Sequence, residues 1–280
     1  MRVVKTVKEL TLFLDVERAN NQTIGFVPTM GALHPGHLSL VNMASQQCNC
    51  VVVSIFVNPT QFNNKEDLER YPRHLDKDVD LLSSTNCKIV FAPEVNEMYP
   101  QEDTRQFQFG QLDKVMEGEH RPGHFNGVGQ VVSRLFEMVK PHKAFFGQKD
   151  FQQLAIIRQL VKMLSLDIEI VACPIVREAD GLAMSSRNAL LTPLHRKNAP
   201  LIGRSLLDSC NFVPTRSVKE IKQLVVEQVN NVEGLEVEYF DIVDGVTLQS
   251  IQSWDESEHV VGCIAVHAGK VRLIDNVIYK

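Results

Sequence analysis

No run within the 280 residues approaches the roughly 20 apolar positions that a membrane-spanning helix needs, which excludes a helical integral membrane protein. The opening Met1-Arg2-Val3-Val4-Lys5 lacks the apolar core of a secretory signal, and a cytoplasmic location is expected. The six cysteines (Cys48, Cys50, Cys87, Cys173, Cys210 and Cys263) include no C-x-x-C pair. That spacing argues against a disulfide framework or a metal knuckle and fits a reducing compartment. The formal net charge is −5 and no Lys/Arg run occurs, so broad attraction to nucleic acid is excluded and an anionic small molecule must be held by local donors. Three phosphate and acyl-transfer signatures are also missing. There is no G-x-x-x-x-G-K-[ST] and no G-x-S-x-G elbow. Gly123, Gly127 and Gly129 neither follow a strand nor have the spacing of a dinucleotide-binding turn.

What is present is the balance of a soluble enzyme, with 44% hydrophobic and 22% charged residues, in a chain long enough for two domains. The organising stretch is residues 23–37, Thr-Ile-Gly-Phe-Val-Pro-Thr-Met-Gly-Ala-Leu-His-Pro-Gly-His. It reads as a buried strand, a tight turn and a helix continuing through Leu38, Leu40 and Val41. Such a turn is expected to leave backbone N–H groups unpaired at the positive end of a helix dipole, a setting suited to a phosphate chain. His34 and His37, three apart on the opening turn, face one side and can each donate to a phosphoryl oxygen. A zinc site is disfavoured because no third ligand lies nearby until Cys48 and Cys50.

Taken in order, residues 4–16 read as an entry helix, and residues 50–57 are a β-branched run of the kind buried on both faces of a parallel sheet, ending at Asn58-Pro59. Residues 66–84 read as a helix and 88–93 as a strand, while 94–113 show no clear pattern. Residues 117–127 contain three glycines and read as a loop, either a connector or an active-site flap, before a helix over 128–139. A strand at 143–147 runs into Gln148-Lys149-Asp150, with Asp150 placed to cap a helix over 151–164; a further strand covers 167–175. The alternation implies right-handed crossovers and a doubly wound parallel sheet, with ligands beyond the carboxyl ends of the strands. Beyond Asp180-Gly181, two hydroxyls and a guanidinium (Ser185, Ser186, Arg187) form either a phosphate-binding set or a helix cap beside a surface arginine. Helices over 195–210 and 217–231, then strands over 237–243, 260–267 and 271–278, the last two joined by Ala268-Gly269-Lys270, describe a smaller α+β domain. The expected division is 1–175 and 176–280, with the second domain closing over the site of the first.

Four motifs, 28–37 (PTMGALHPGH), 56–62 (FVNPTQF), 146–153 (FGQKDFQQ) and 177–188 (READGLAMSSRN), together resemble the pantothenate synthetase (pantoate–β-alanine ligase) family, in order along essentially the whole chain. The resemblance implies a Rossmann-like first domain of the class I aminoacyl-tRNA synthetase and nucleotidyl transferase type, a homodimer, and Mg²⁺ accompanying ATP. It implies attack of pantoate on the α-phosphorus of ATP to give pantoyl adenylate and pyrophosphate, then attack of the β-alanine amine on the acyl carbon. His34 and His37 would polarise the phosphates, His37 as proton donor to pyrophosphate. Met30, Gly31, Ala32, Leu33, His34, Pro35, Gly36 and His37 would form one ATP segment. Gly147, Gln148, Lys149 and Asp150 would form a second, with Lys149 on phosphate and Asp150 near the ribose. Val176 would meet adenine, and Met184, Ser185, Ser186 and Arg187 would cover the phosphates. Gln61 and Gln153 would hold pantoate, with Gln61 and Asn58 near β-alanine. The family places an acidic Mg²⁺ residue after Tyr71-Pro72-Arg73, where this chain has Asp76-Lys77-Asp78, and the carboxylate is left unassigned. Gln148 stands where the family more often has Lys or Glu.

Two rivals come from other classes. An H-x-G-H nucleotidyltransferase would act on a phosphorylated acceptor without releasing AMP, and a nucleotide-binding module would bind ATP without turnover.

Overall fold

A computed structural model describes residues 1–62, 68–69 and 71–280. The chain divides into two compact units: residues 1–109, 121–148 and 153–174 form the first, and 110–120, 149–152 and 175–280 the second.

The first unit is built on parallel strands β1 (Arg2–Val4), β2 (Ile24–Thr29), β3 (Cys50–Ile55), β4 (Cys87–Phe91), β5 (Lys143–Gly147) and β6 (Glu169–Cys173), in the order β1-β4-β3-β2-β5-β6. Because side chains alternate across a strand, neighbouring residues line different layers. Val27, Val51, Val53 and Phe145 pack with Leu40, Val41 and Ala44 of the helix Pro35–Gln47 and with Leu82 of the helix Leu75–Ser83. Phe26 and Phe146 point the other way, and each meets Phe136 of the helix His124–Val139 edge-on, with ring centroids 6.3 and 6.4 Å apart. Burial on both faces explains the unbroken apolar strands, and the chain reverses its direction of winding between β2 and β5. All six cysteines are free thiols. Desolvation pushes Cys50 and Cys173 up to about 11 and Cys87 to about 12, so they behave as small apolar groups.

The sequence reading differs from the structure in several places. The entry helix covers Val7–Ala19, opened by a Thr6/Glu9 capping box, and β1 precedes it. Of the helix expected over 66–84, residues 66, 67 and 70 lie outside the described residues; the described helix is Leu75–Ser83. The glycine-rich 117–127, expected as loop, is partly helical. It holds the short helix Glu117–His120 and the first turn of His124–Val139, entered through Gly123 at φ 83°. The helix expected over 195–210 is two helices, Pro193–Asn198 and Pro200–Ser209, since Pro200 lacks the N–H to continue the ladder and instead opens the second.

The second unit carries an antiparallel sheet of β7 (Leu235–Asp244), β8 (Val260–Ala268) and β9 (Val271–Ile278), with β9 at its edge and a turn at Gly269 with φ 61° between β8 and β9. One face packs on the helices Pro200–Ser209 and Val218–Asn230 through Ile202, Leu206, Ile221, Val225, Ile264 and Leu273. From the other face Arg272 reaches Glu117, at 2.6 and 2.9 Å, and Tyr239 donates to Glu117 at 2.8 Å, which attaches residues 110–120 to this unit. Among the described residues no helix is long and apolar enough to cross a membrane.

Candidate active site

In the first unit, β2 delivers Met30, Gly31, Ala32 and Leu33 into a turn with left-handed φ at both Gly31 (81°) and Ala32 (50°). A side chain at φ +50° is strained and persists only where the surroundings over-determine it. Asp78 does so. Its carboxylate, 3% exposed, accepts the N–H of Ala32 at 2.9 Å and of Leu33 at 2.7 Å. Burial pushes the Asp78 pKa up, and the two amides pull it the other way without cancelling the shift. A Cβ at position 31 would lie 2.9 Å from Asp78 Oδ2, so glycine is needed for space as well as for φ.

The expectation of unpaired turn amides is corrected. Gly31 N–H donates to Thr29 Oγ1, Ala32 and Leu33 to Asp78, His34 to His37 Nδ1, Gly36 to His34 Nδ1, and His37 to the His34 carbonyl. His34 is the N-cap of the helix and His37 its third residue, a capping box made of imidazoles. Since backbone N–H groups only donate, Nδ1 of each ring acts as acceptor at 3.2–3.3 Å, and the neutral ring carries its proton on Nε2. The ring centroids are 4.1 Å apart with planes tilted by 46°, so two imidazoles are held side by side.

Beyond β3, Asn58 caps the short helix Pro59–Gln61. The Asn58 amide is 1% exposed and fully engaged: Nδ2 donates to the Gly127 carbonyl at 3.1 Å and to Gln61 Oε1 at 3.3 Å, and Oδ1 accepts the Tyr99 hydroxyl at 2.9 Å and the Thr60 N–H at 3.4 Å. The fixed backbone donor and acceptor set the orientation of this amide. Gln61 therefore turns its oxygen to Asn58, and its Nε2 lies 2.9 Å from the Met30 sulfur. Gly127 lets the helix approach so closely that a Cβ there would collide with the Thr60 carbonyl group and the Gln61 Cα. Gly147 ends β5, Gln148 donates its N–H to the Cys173 carbonyl at 2.8 Å, and Gln153 lies half-buried on the first turn of the helix Phe151–Met163.

In the second unit, the Lys149 carbonyl accepts from Asn276 Nδ2 at 2.9 Å. Residues 176–184 fold as a hairpin around Gly181 (φ 94°): Met184 N–H donates to the Val176 carbonyl at 2.9 Å, and Glu178 N–H to that of Leu182 at 2.8 Å. Ser185 caps the short helix Ser186–Leu190 by accepting the Arg187 N–H at 3.2 Å, so the capping alternative holds for that hydroxyl.

Sequence reasoning assigned no role to Tyr99, Gly127, Asp275 or Asn276, and Asp78 only within an unassigned acidic segment. A glycine inside a helical pattern and an acid at an inward strand position, between Leu273 and Val277, were the available signals.

For Mg²⁺, the described residues contain no group of three His, Cys, Asp or Glu able to form a cage. Asp76 is exposed, and each Asp78 oxygen already accepts a turn amide. This donor set fits a metal carried by substrate phosphates better than a resident protein site.

The profile of the pantoate-beta-alanine ligase family matches residues 2–278. A pantothenate synthetase of Bacteroides fragilis is 55% identical over 280 residues, covering 100% of this chain and 99% of its own length. One from Thermotoga neapolitana is 46% identical over 280 residues, covering 99% of each. Among solved structures, a pantothenate synthetase from Thermus thermophilus superposes with a TM-score of 0.91 at 43% identity, covering 99% of each chain. A pantoate-beta-alanine ligase from Francisella tularensis, described as complexed with beta-gamma ATP and beta-alanine, gives a TM-score of 0.81 at 34% identity, covering 100% of this chain and 98% of its own.

Proposed function

The chain belongs to the pantoate–β-alanine ligase family, and from that premise we propose that it condenses (R)-pantoate with β-alanine at the expense of ATP, through pantoyl adenylate. The pantoate carboxylate attacks the α-phosphorus and pyrophosphate leaves; the β-alanine amine then attacks the acyl carbon and AMP leaves. No side-chain nucleophile is needed, so the protein's part is positioning and charge stabilisation.

The observation that carries the reading is the two-histidine turn at the carboxyl end of β2, beside the point where the sheet reverses its winding. His34 and His37 would present Nε2–H to the phosphates. With Nδ1 of His37 accepting a backbone N–H, Nε2 is the nitrogen through which His37 would act as donor to the leaving pyrophosphate. Met30, Gly31, Ala32, Leu33, Pro35 and Gly36 would form the ATP turn with the histidines; Gly147, Gln148, Lys149 and Asp150 a second ATP segment; Val176, Met184, Ser185, Ser186 and Arg187 a third. Gln61 and Gln153 would hold pantoate, with Gln61 offering an N–H to a substrate oxygen. Asn58, expected to touch β-alanine, has its amide spent within the protein and would act by orienting Gln61. Mg²⁺ would arrive as the ATP complex and neutralise phosphate charge. Residues 176–280 as a domain closing over the site, a homodimer and a cytoplasmic location are proposed on family membership.

The test is AMP release from MgATP with D-pantoate, with and without β-alanine. Stoichiometric AMP and pantothenate requiring both substrates is expected. No AMP with both present would overturn the assignment and favour transfer of a nucleotidyl group to a phosphorylated acceptor.

A further inference from the structure

Two consecutive side chains of β9 each grip a segment proposed to bind ATP. Successive residues of a strand point to opposite faces, so this edge strand reaches a segment on each side. Asp275, 4% exposed and paired across to Ile264, shares a row with Leu273 and Val277, which lie in the core packed on the helix Pro200–Ser209. A carboxylate there is tolerable only when paired, and Arg177 meets it in a fork: Nη1 to Oδ2 at 2.6 Å and Nη2 to Oδ1 at 3.0 Å. The same Nη1 donates to the Gly181 carbonyl at 3.1 Å, so the guanidinium fastens the strand and tip of the 176–184 hairpin. Gly203 makes room: a Cβ there would lie 2.7 Å from both Arg177 Nη1 and the Gly181 oxygen.

On the other face, Asn276 is 2% exposed, pairs across to Cys263, and donates from Nδ2 to the Lys149 carbonyl at 2.9 Å. Fixing that carbonyl fixes ψ at Lys149, and with it the direction in which Asp150 follows. We propose that β9 is the positioning element for the nucleotide-binding segments of the second unit: Asn276 acts through Lys149, and Asp275 acts through Arg177 on Val176 and the hairpin. The inference rests on the assignment of Lys149 and Val176 to ATP.

A double-mutant cycle on the full chain tests it, with KM measured separately for ATP, pantoate and β-alanine. Asn276→Ala is expected to raise KM for ATP about tenfold, the loss of roughly one hydrogen bond's worth of alignment, with KM for β-alanine within about twofold. In a Lys149→Ala, Asp150→Ala background, which keeps the carbonyl but removes both side chains that it directs, the same substitution is expected to change KM for ATP by less than about twofold. Asp275→Asn should raise KM for ATP in both backgrounds. Equal effects of Asn276→Ala in the two backgrounds, or an unchanged KM for ATP, would overturn the positioning role. An unchanged KM for ATP in that background alone would overturn the ATP assignment beneath it. Should Asn276→Ala not fold, Asn276→Ser, a shorter donor, carries the same comparison.

Discussion

Replacing Asp78 by asparagine tests how the phosphate turn is held. The carboxylate accepts two amides, at 2.9 and 2.7 Å, while almost wholly buried. Hydrogen bonds to a charged group contribute about 1.5–3 kcal/mol each. Asparagine keeps one acceptor and sets an NH₂ against the second N–H, so one charged bond is lost and the other becomes neutral. A destabilisation of about 2–3 kcal/mol follows. The left-handed Ala32 is then free to relax, and a shift of about 1 Å at the histidines would lower turnover on the order of 10²-fold. Urea unfolding followed by far-ultraviolet circular dichroism gives the first number, and AMP release gives the second. Hydrogen exchange at Ala32 and Leu33 reports the turn directly. Wild-type protection and stability in Asp78→Asn would refute the brace. If excess Mg²⁺ restored turnover instead, the carboxylate would be acting on the metal.

Three further outcomes are expected. His37→Ala should reduce adenylate formation by roughly 10²-fold or more. Its stability cost should stay near 1 kcal/mol, the worth of a helix cap; full turnover in the folded variant would remove His37 from the reaction. Gly127→Ala should raise KM for pantoate by about tenfold or more, because the new methyl meets the backbone of Thr60 and Gln61; overpacking of about 1–3 kcal/mol should outweigh the helix-propensity gain of about 1 kcal/mol. An unmoved KM for pantoate would show that the contact is absorbed elsewhere. The third concerns Asp244. Desolvation works against its charge, but donors from Ser257, Thr247 and Val246 prevail and bring the pKa down to about 2. A depressed carboxylate pKa contributes stability above its unfolded value near 3.8, lost as pH falls through about 2. Asp244→Ala should therefore be less stable by about 1–2 kcal/mol at pH 7, after allowance for partial exposure, with the gap closing between pH 4 and 2. Urea midpoints across that range check it; a gap that persists at pH 2 would argue that the charge is not what stabilises the turn.

The sheet of the first unit was readable because strands covered on both faces consist of short apolar runs with proline or glycine near their ends, β-branched at Cys50–Ile55 and aromatic at Lys143–Gly147. β1 escaped because three residues carry no period. The glycines of 117–127 misled because local rules read glycine as a turn, whereas Gly127 is demanded by the Thr60 carbonyl, far along the chain. Pro200 was visible, but whether it bends a helix or starts a new one depends on the chain folding at Ala199. The site shows the same division. Motif order identified the residues that would meet ligand, because such residues recur as local blocks. Asp78, Tyr99 and Asn276 act on backbone or amides 41 to 127 positions away, and no local pattern encodes such a pairing. Two of the turn amides were misjudged for that reason, since the acceptor of Ala32 and Leu33 lies 45 residues beyond Leu33, whereas those of Gly31, His34, Gly36 and His37 find acceptors within the turn itself.

That each imidazole of the turn accepts from the chain on one side limits what else could stand at positions 34 and 37. Lysine or arginine would supply more charge outward, but neither has a lone pair to offer the inward N–H, and the helix would begin with an orphan donor. Serine or aspartate could seal the helix, yet neither reaches outward with a donor at the far end of a rigid spacer. An aromatic ring with nitrogens at its 1 and 3 positions does both, and it keeps the outward hydrogen at a distance fixed by covalent geometry from the nitrogen that holds the inward N–H.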